Sequence, residues 1–224
     1  QVFAVPNVTF TGPADLCIDA GVQAGLGGGS PTGGVYSGPG VTDDGNGMTY
    51  SFDPAAAGVG THTITYTVGV AGCSGMASDD VEVFALPNAS YTAPADLCID
   101  AGVQAGLGGG TPTGGTYSGP GVTDDGNGMT YSFDPAAAGV GTHTITYSIT
   151  DANGCSDSAS DMVEVFDLPT VTMTVAGTGT CITAGVQTGR SGGTPTGGVY
   201  SGTGVTDDGN GMTYSFDPAA AGVG

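Results

Sequence analysis

Hydrophobic and polar residues alternate in short runs along this chain, with the period of two that a β-strand imposes. From Thr61 to Val68, Ile64, Tyr66 and Val68 share one face while Thr63, Thr65 and Thr67 share the other. That pattern predicts a half-buried antiparallel strand. Shorter runs of the same kind lie at Asn7 to Thr11, Val35 to Ser37, Met48 to Phe52 and Asp80 to Phe84. Leu16 to Gln23 reads as one strand, or as two around Asp19-Ala20-Gly21. Asp43-Asp44-Gly45-Asn46-Gly47 supplies tight-turn chemistry. Asp53-Pro54-Ala55-Ala56-Ala57-Gly58 predicts a single helical turn, with an Asp cap, Pro at the first position and Gly at the end. Nothing else has helical period. About seven short strands in roughly 80 residues predict a β-sandwich.

The pattern then repeats almost letter for letter. Pro13 to Tyr66 recurs at Pro94 to Tyr147 with two changes, Ser30 to Thr111 and Val35 to Thr116. A third copy runs from Cys181 to Gly224 and ends before its counterpart of Thr61 to Val81. A fixed period of this length marks an array of small domains rather than the coils of a solenoid. The expected organisation is the tail of a preceding repeat at 1–4, repeat 1 at 5–84, repeat 2 at 85–166 and an incomplete repeat 3 at 167–224. Two explanations of the incomplete third copy are open. The chain is a window on a longer protein, which is the favoured reading, or a neighbouring chain supplies the missing strands. The linkers Phe84-Ala85-Leu86-Pro87-Asn88 and Phe166-Asp167-Leu168-Pro169-Thr170 are short. Each contains a Pro that restricts the backbone, so a semi-rigid rod is expected.

The string GGVYSGPGVTDDGNGMTYSFDPAAAGVGTHTITYTV, followed by SDDVEVF, resembles the immunoglobulin-like tandem repeats of giant Bacteroidota surface proteins. ITDANGCSDSAS in the second copy resembles them further, as do polycystic-kidney-disease-type and hyaline-repeat modules in their strand logic. The resemblance covers essentially the whole chain. It implies an all-β fold of tandem Ig-like sandwiches in a long adhesin or filament, often exported by the type 9 secretion system. It implies no catalytic site.

Charge narrows the partners. Of 21 acidic residues 19 are Asp, against a single basic residue, Arg190, for a net charge of -20. Such a chain repels nucleic acid and anionic lipid. The absence of Lys excludes Schiff-base chemistry and Lys isopeptide crosslinks. A mean hydropathy of +0.12 with so few charges argues for folded domains despite 45 Gly. No apolar run reaches membrane-spanning length. An extracellular, cell-surface location is expected, with no direct membrane insertion by this segment.

Five cysteines fall into register. Cys17, Cys98 and Cys181 precede the second-strand region, while Cys73 and Cys155 lie between the last two strands. Disulfides are expected, with the positional partner of Cys181 beyond the chain end. Pairing within a repeat, Cys17 to Cys73 and Cys98 to Cys155, is favoured and requires Cys17 to begin a strand beside the last one. The alternative staples one repeat to the next through Cys17 and Cys155. Calcium is the ligand the acidic turns would suit, through Asp43, Asp44 and Asn46, then Asp124, Asp125 and Asn127, then Asp207, Asp208 and Asn210. The same residues suit a plain turn, which is favoured. No other cofactor is expected.

The remaining motifs are weaker. Gly25 to Gly34 lacks the following helix and Lys of a phosphate cradle. His62 and His143 recur singly and read as hydrogen-bonded rim residues. Asp157-Ser158-Ala159 resembles the O-glycosylation site used by Bacteroidota, with Ser158 as acceptor. No catalytic residue is identified. Three functions are carried forward: a non-catalytic stalk or filament segment of a surface adhesin, a glycan-binding repeat module, and an accessory segment of a larger secreted enzyme. The partners expected are neighbouring repeats, and other copies if the chain builds a filament.

Overall fold

The computed structural model describes residues 4–70, 72–175, 177 and 179–223. Residues 1–3, most of the expected tail of a preceding repeat, lie outside them. The chain divides into two compact units, Gln1–Phe166 and Asp167–Gly224. The first unit holds repeats 1 and 2, each around its own hydrophobic core.

Repeat 1 contains strands β1 (Leu16–Cys17), β2 (Gln23–Leu26), β3 (Val35–Ser37), β4 (Val41–Asp43), β5 (Tyr50–Phe52), β6 (Gly60–Val70) and β7 (Cys73–Phe84). They form two sheets, ordered β1-β7-β6-β3 and β2-β5-β4. This is the β-sandwich expected from the pattern, with the Ig-like character that the resemblance implies. A single helical turn, α1 (Pro54–Ala57), joins β5 to β6. Its cap is Asp53, whose side chain accepts from the N–H groups of Ala55 and Ala56, satisfying donors that a helix start leaves open. Repeat 2 has the same arrangement in β8 (Leu97–Cys98), β9 (Gln104–Leu107), β10 (Thr116–Ser118), β11 (Val122–Asp124), β12 (Tyr131–Phe133), β13 (Gly141–Thr150) and β14 (Ser156–Phe166), with α2 at Pro135–Ala138.

Alternation places the core. Ile64, Tyr66 and Val68 of β6 are buried, as are Val81 and Val83 of β7, and they face Tyr50 and Phe52 from the other sheet. Tyr36 lies between Tyr50 and Tyr66, with ring centroids 4.4 and 4.5 Å away. The Tyr66 ring sits against two glycines. A Cβ at Gly29 or Gly34 would come within 2.5 Å of it, and Gly34 N–H donates to the Tyr66 hydroxyl at 2.9 Å. Tyr147 is held by Gly110 and Gly115 in the same way.

Three strand expectations are corrected and one alternative is resolved. Asn7 to Thr11 forms no strand and makes only an isolated bridge, Thr9 to Ser30. Thr9 N–H donates to the Ser30 carbonyl at 2.8 Å, and just beyond the stretch Gly12 N–H donates to Asp79 Oδ2 at 2.9 Å. The stretch Leu16 to Gln23 breaks at its Asp19-Ala20-Gly21 turn, so the two-strand alternative holds, with β2 continuing to Leu26. Strand β4 was not anticipated, because Val41-Thr42-Asp43 offers only one alternation before the turn. The closing strand is also much longer than Asp80 to Phe84. β7 pairs with β6 in continuous register from Gly60↔Val83 to Val70↔Cys73, so Cys73 lies within the strand.

The second unit keeps β15 (Thr172–Met173), β16 (Gln187–Arg190), β17 (Gly193–Thr194), β18 (Val205–Asp207), β19 (Tyr214–Phe216) and α3 (Pro218–Ala221). Its three-stranded sheet β16-β19-β18 matches β2-β5-β4.

Candidate functional site

The junction between repeats 1 and 2 is covalently closed. The initial segment of repeat 1 runs parallel to β7 along its whole length. The carbonyl of Pro6 lies beside Gly75, Gly12 donates to Asp79, Glu82 N–H donates to Asp15 Oδ1 at 2.8 Å, and Cys17 pairs with Phe84. Cys17 therefore sits at the pole where the chain leaves repeat 1. In repeat 2, Ala89 N–H donates to Asp157 Oδ2, which places the start of β14 at the pole where the chain enters. Cys155, buried in the turn before that strand, meets Cys17 across the junction. The two form a disulfide with Cα atoms 5.6 Å apart and a sequence separation of 138. Leu86, beside Pro87 in the linker, is half-buried.

This pairing overturns the favoured pairs Cys17–Cys73 and Cys98–Cys155. The reason is geometric. Cys73 opens β7 and Cys17 pairs with its last residue, about 36 Å away at 3.3 Å per residue. A disulfide needs Cα atoms within about 7 Å. Cys98, opposite Phe166 at the end of β14, is separated from Cys155 in the same way. The between-repeat alternative is the one found. Cys98 and Cys181 are exposed thiols.

A second feature lies in Asp167–Gly224. A cleft of about 710 Å³ opens over its sheet, lined by Met173, Val199, Tyr200, Tyr214, Phe216 and Val223 among others. In repeats 1 and 2 the residues matching Tyr200, Tyr214 and Phe216 are buried against the β6–β7 and β13–β14 hairpins, whereas those matching Val199 and Val223 stay exposed. Gly198 shows the difference. A Cβ there meets nothing within 4 Å, whereas at Gly34 and Gly115 it would strike a hairpin tyrosine.

The acidic turns are self-contained. Asp43 Oδ1 accepts from Gly45 N–H and its Oδ2 from Tyr36 N–H, at 2.8 and 2.7 Å. Asn46 Oδ1 accepts from both Met48 and Thr49 N–H, and Thr49 Oγ1 donates to Asp44 Oδ2. Asp124, Asp125 and Asn127 repeat this set, as do Asp207, Asp208 and Asn210. The loop oxygens thus already serve the turn's own donors. Among the described residues no three His, Cys, Asp or Glu side chains are grouped to hold a metal.

Other singled-out residues fall apart from these features. His62 Nε2 and His143 Nε2 each donate to a carbonyl four residues back, Gly58 and Gly139, at 2.7 Å. Ser158 is exposed on β14. Tyr36, Tyr50 and Tyr66 are all buried and offer no aromatic platform. A set of structural carboxylates is not evident from the sequence: Asp15, Asp79, Asp96, Asp157 and Asp161 hold each initial segment against its last strand. Asp79, Asp157 and Asp161 lie on last strands and Asp15 and Asp96 in the segments before β1 and β8, positions that ordinary surface Asp residues share.

No family model and no curated protein matches the chain. Solved structures resemble it at low similarity. A Ca2+-stabilized adhesin with which an Antarctic bacterium binds ice is 18% identical over 97% of this chain and 67% of that one, with a TM-score of 0.44. Human protocadherin-24 EC1-2 is 11% identical over 70% of this chain and 94% of that one, with a TM-score of 0.35. An endo-fucoidan hydrolase of glycoside hydrolase family 107 is 14% identical over 70% of this chain, with a TM-score of 0.28, and the chain spans only 28% of it. At these scores none of the three bears on function.

Proposed function

We propose that this chain is a structural stalk segment of a long extracellular surface adhesin, non-catalytic, of the kind its resemblance to Bacteroidota surface repeats implies. The observation that carries this reading is the Cys17–Cys155 bond, which locks the exit pole of one sandwich to the entry pole of the next. A bond of this kind stabilises spacing and direction between modules rather than a ligand pocket. It also belongs to an oxidising compartment, outside the cytosol. The glycan-binding alternative finds no support in Tyr36, Tyr50 or Tyr66, because their rings are spent on the core. Electron microscopy of the oxidised chain, together with a glycan array, tests the reading. Single-file particles without glycan binding are expected. Binding that scales with repeat number would transfer the function to a glycan module.

The cleft of Asp167–Gly224 favours a second, compatible reading for assembly. Its aromatic floor, Tyr200, Tyr214 and Phe216, matches residues that hairpins cover in repeats 1 and 2, so a β-hairpin of the repeat's own sequence is the occupant it suits, from the same protein or from a neighbouring chain of a filament. A synthetic peptide of Gly141–Phe166 should bind the chain and quench exposure of Tyr200. Gly198→Val, which places a side chain where the hairpin tyrosine would seat, should abolish binding while leaving the unoccupied fold intact.

A further inference from the structure

Where a disulfide enters a mechanical chain decides which residues carry tension. From Val5 the initial segment reaches the far pole of repeat 1 in about a dozen residues, alongside Gly75, Asp79 and finally Phe84. There the bond crosses to Cys155, and β14 runs the length of repeat 2 to Phe166. We propose that this route is the load path of the paired repeats: initial segment, disulfide, last strand. It acts as a covalent strut that removes the chain between the cysteines, a sequence separation of 138, from the line of force. The proposal deepens the stalk reading above, but it stands on the position of the bond and not on any ligand.

Lengths decide how stiff the strut is. β7 has 12 residues and β14 has 11, so each sandwich spans about 36 Å and the pair about 80 Å with the junction. The strut contains about two dozen residues, which at no more than ~3.6 Å each reach roughly 90 Å fully extended, the Cα step across the bond included. It is nearly taut in the folded state, with about 10 Å of slack. Followed through the backbone alone, the same two ends would part by about 580 Å. Unfolding every strand between Cys17 and Cys155 therefore adds almost no length. The core of repeat 2 from β9 to β13 is never pulled directly.

Single-molecule force extension of the 224-residue chain, held at its ends, tests this. Peptide mapping first verifies the Cys17–Cys155 linkage in the oxidised protein. In reductant, and in Cys17→Ser/Cys155→Ser, two length steps of roughly 250 Å each are expected as repeats 1 and 2 open. In the oxidised chain both steps should vanish, leaving only the shorter release from Asp167–Gly224. Steps of about 250 Å in the oxidised protein, a different cysteine linkage, or their absence in both reduced and substituted chains would each overturn the strut. Circular dichroism of the double variant shows that it is folded before pulling, and reduction of the unaltered chain gives the same comparison without substitution. The strut and the stalk fail separately. Missing steps in a chain that forms no single-file particles would leave the strut standing and remove the stalk.

Discussion

Phe10 and Tyr91 occupy the same place in their repeats, and the exchange decides whether a buried hydroxyl has a partner. In repeat 2 the Tyr91 and Tyr131 hydroxyls are 2.6 Å apart. In repeat 1 the Tyr50 hydroxyl is buried with no hydrogen-bond partner among the described residues. Burial, then the nearby Tyr36 and Asp79, push its pKa up to about 12, so it stays protonated and unsatisfied across the working range. The ring geometries match: Phe10–Tyr50 at 6.2 Å and 63°, Tyr91–Tyr131 at 6.4 Å and 62°. Phe10→Tyr should therefore stabilise repeat 1 by about 1 kcal/mol, and Tyr131→Phe should cost repeat 2 a similar amount, both read from urea midpoints. Gly34→Ala should be far worse. Its Cβ would meet the Tyr66 ring at 2.5 Å and the Thr67 carbonyl at 2.6 Å, and neither can move, for a loss of about 3 kcal/mol. Asp161 gives the acid dependence. The N–H groups of Ala93 and then Met162 hold its carboxyl below the ordinary value. Folding favours the anion, so this contribution is present above the ordinary carboxylate pKa of about 3.9 and is lost as pH falls through the depressed folded value. Asp161→Asn should lower the urea midpoint at neutral pH and flatten its decline in acid.

Sequence reading and structure part company where alternation is short. The buried face of β6 was legible because Ile64, Tyr66 and Val68 alternate over a full strand, and α1 was legible because Asp, Pro and Gly each have one local reason to stand where they do. β4 was not, since three residues carry almost no period and their strand character comes from pairing with β5. The first part of β7 was hidden for a related reason. Gly75, Ala77 and Ser78 have little hydrophobic signal, yet continuous pairing with β6 carries them. The acidic turn illustrates the limit from the other side, because Asp and Asn suit both a cation and a turn. Its oxygens now face their own backbone donors, which sets an order of effects. Asp43→Ala, which removes acceptors from Gly45 and Tyr36, should cost about 2 kcal/mol and lower the melting temperature of repeat 1 by several degrees. Chelator or added calcium should move it by no more than about one degree. A rise of several degrees with calcium would show that the turn opens to the cation.

Cysteine pairing was legible only as a pair of alternatives. Spacing along the chain cannot tell which pole a residue occupies, and the Cys17–Phe84 register was needed to decide it. What the sequence did disclose was the condition on which the choice turned. Cys17 does begin a strand beside the last one, but at the end opposite Cys73. Two sandwiches with separate cores are thus joined at one bond and one linker. Thermal unfolding of Gln1–Phe166 should reflect this. Reduction should split a coupled transition into two, seen as broadening in calorimetry, with Cys155→Ser reproducing the split without reductant.

The 138-residue separation also imposes an order on how the protein is made. Chains emerge amino-terminus first at about 5–20 residues per second, so Cys17 exists for roughly 7–28 s before Cys155 does. During that interval repeat 1 can complete its fold, which carries Cys73 to the distant pole and removes it from reach. Closure of the bond then reports that the following repeat has been built as far as its final hairpin. The seal on repeat 1 is set by its successor rather than by the repeat it protects, and so closes one module behind synthesis.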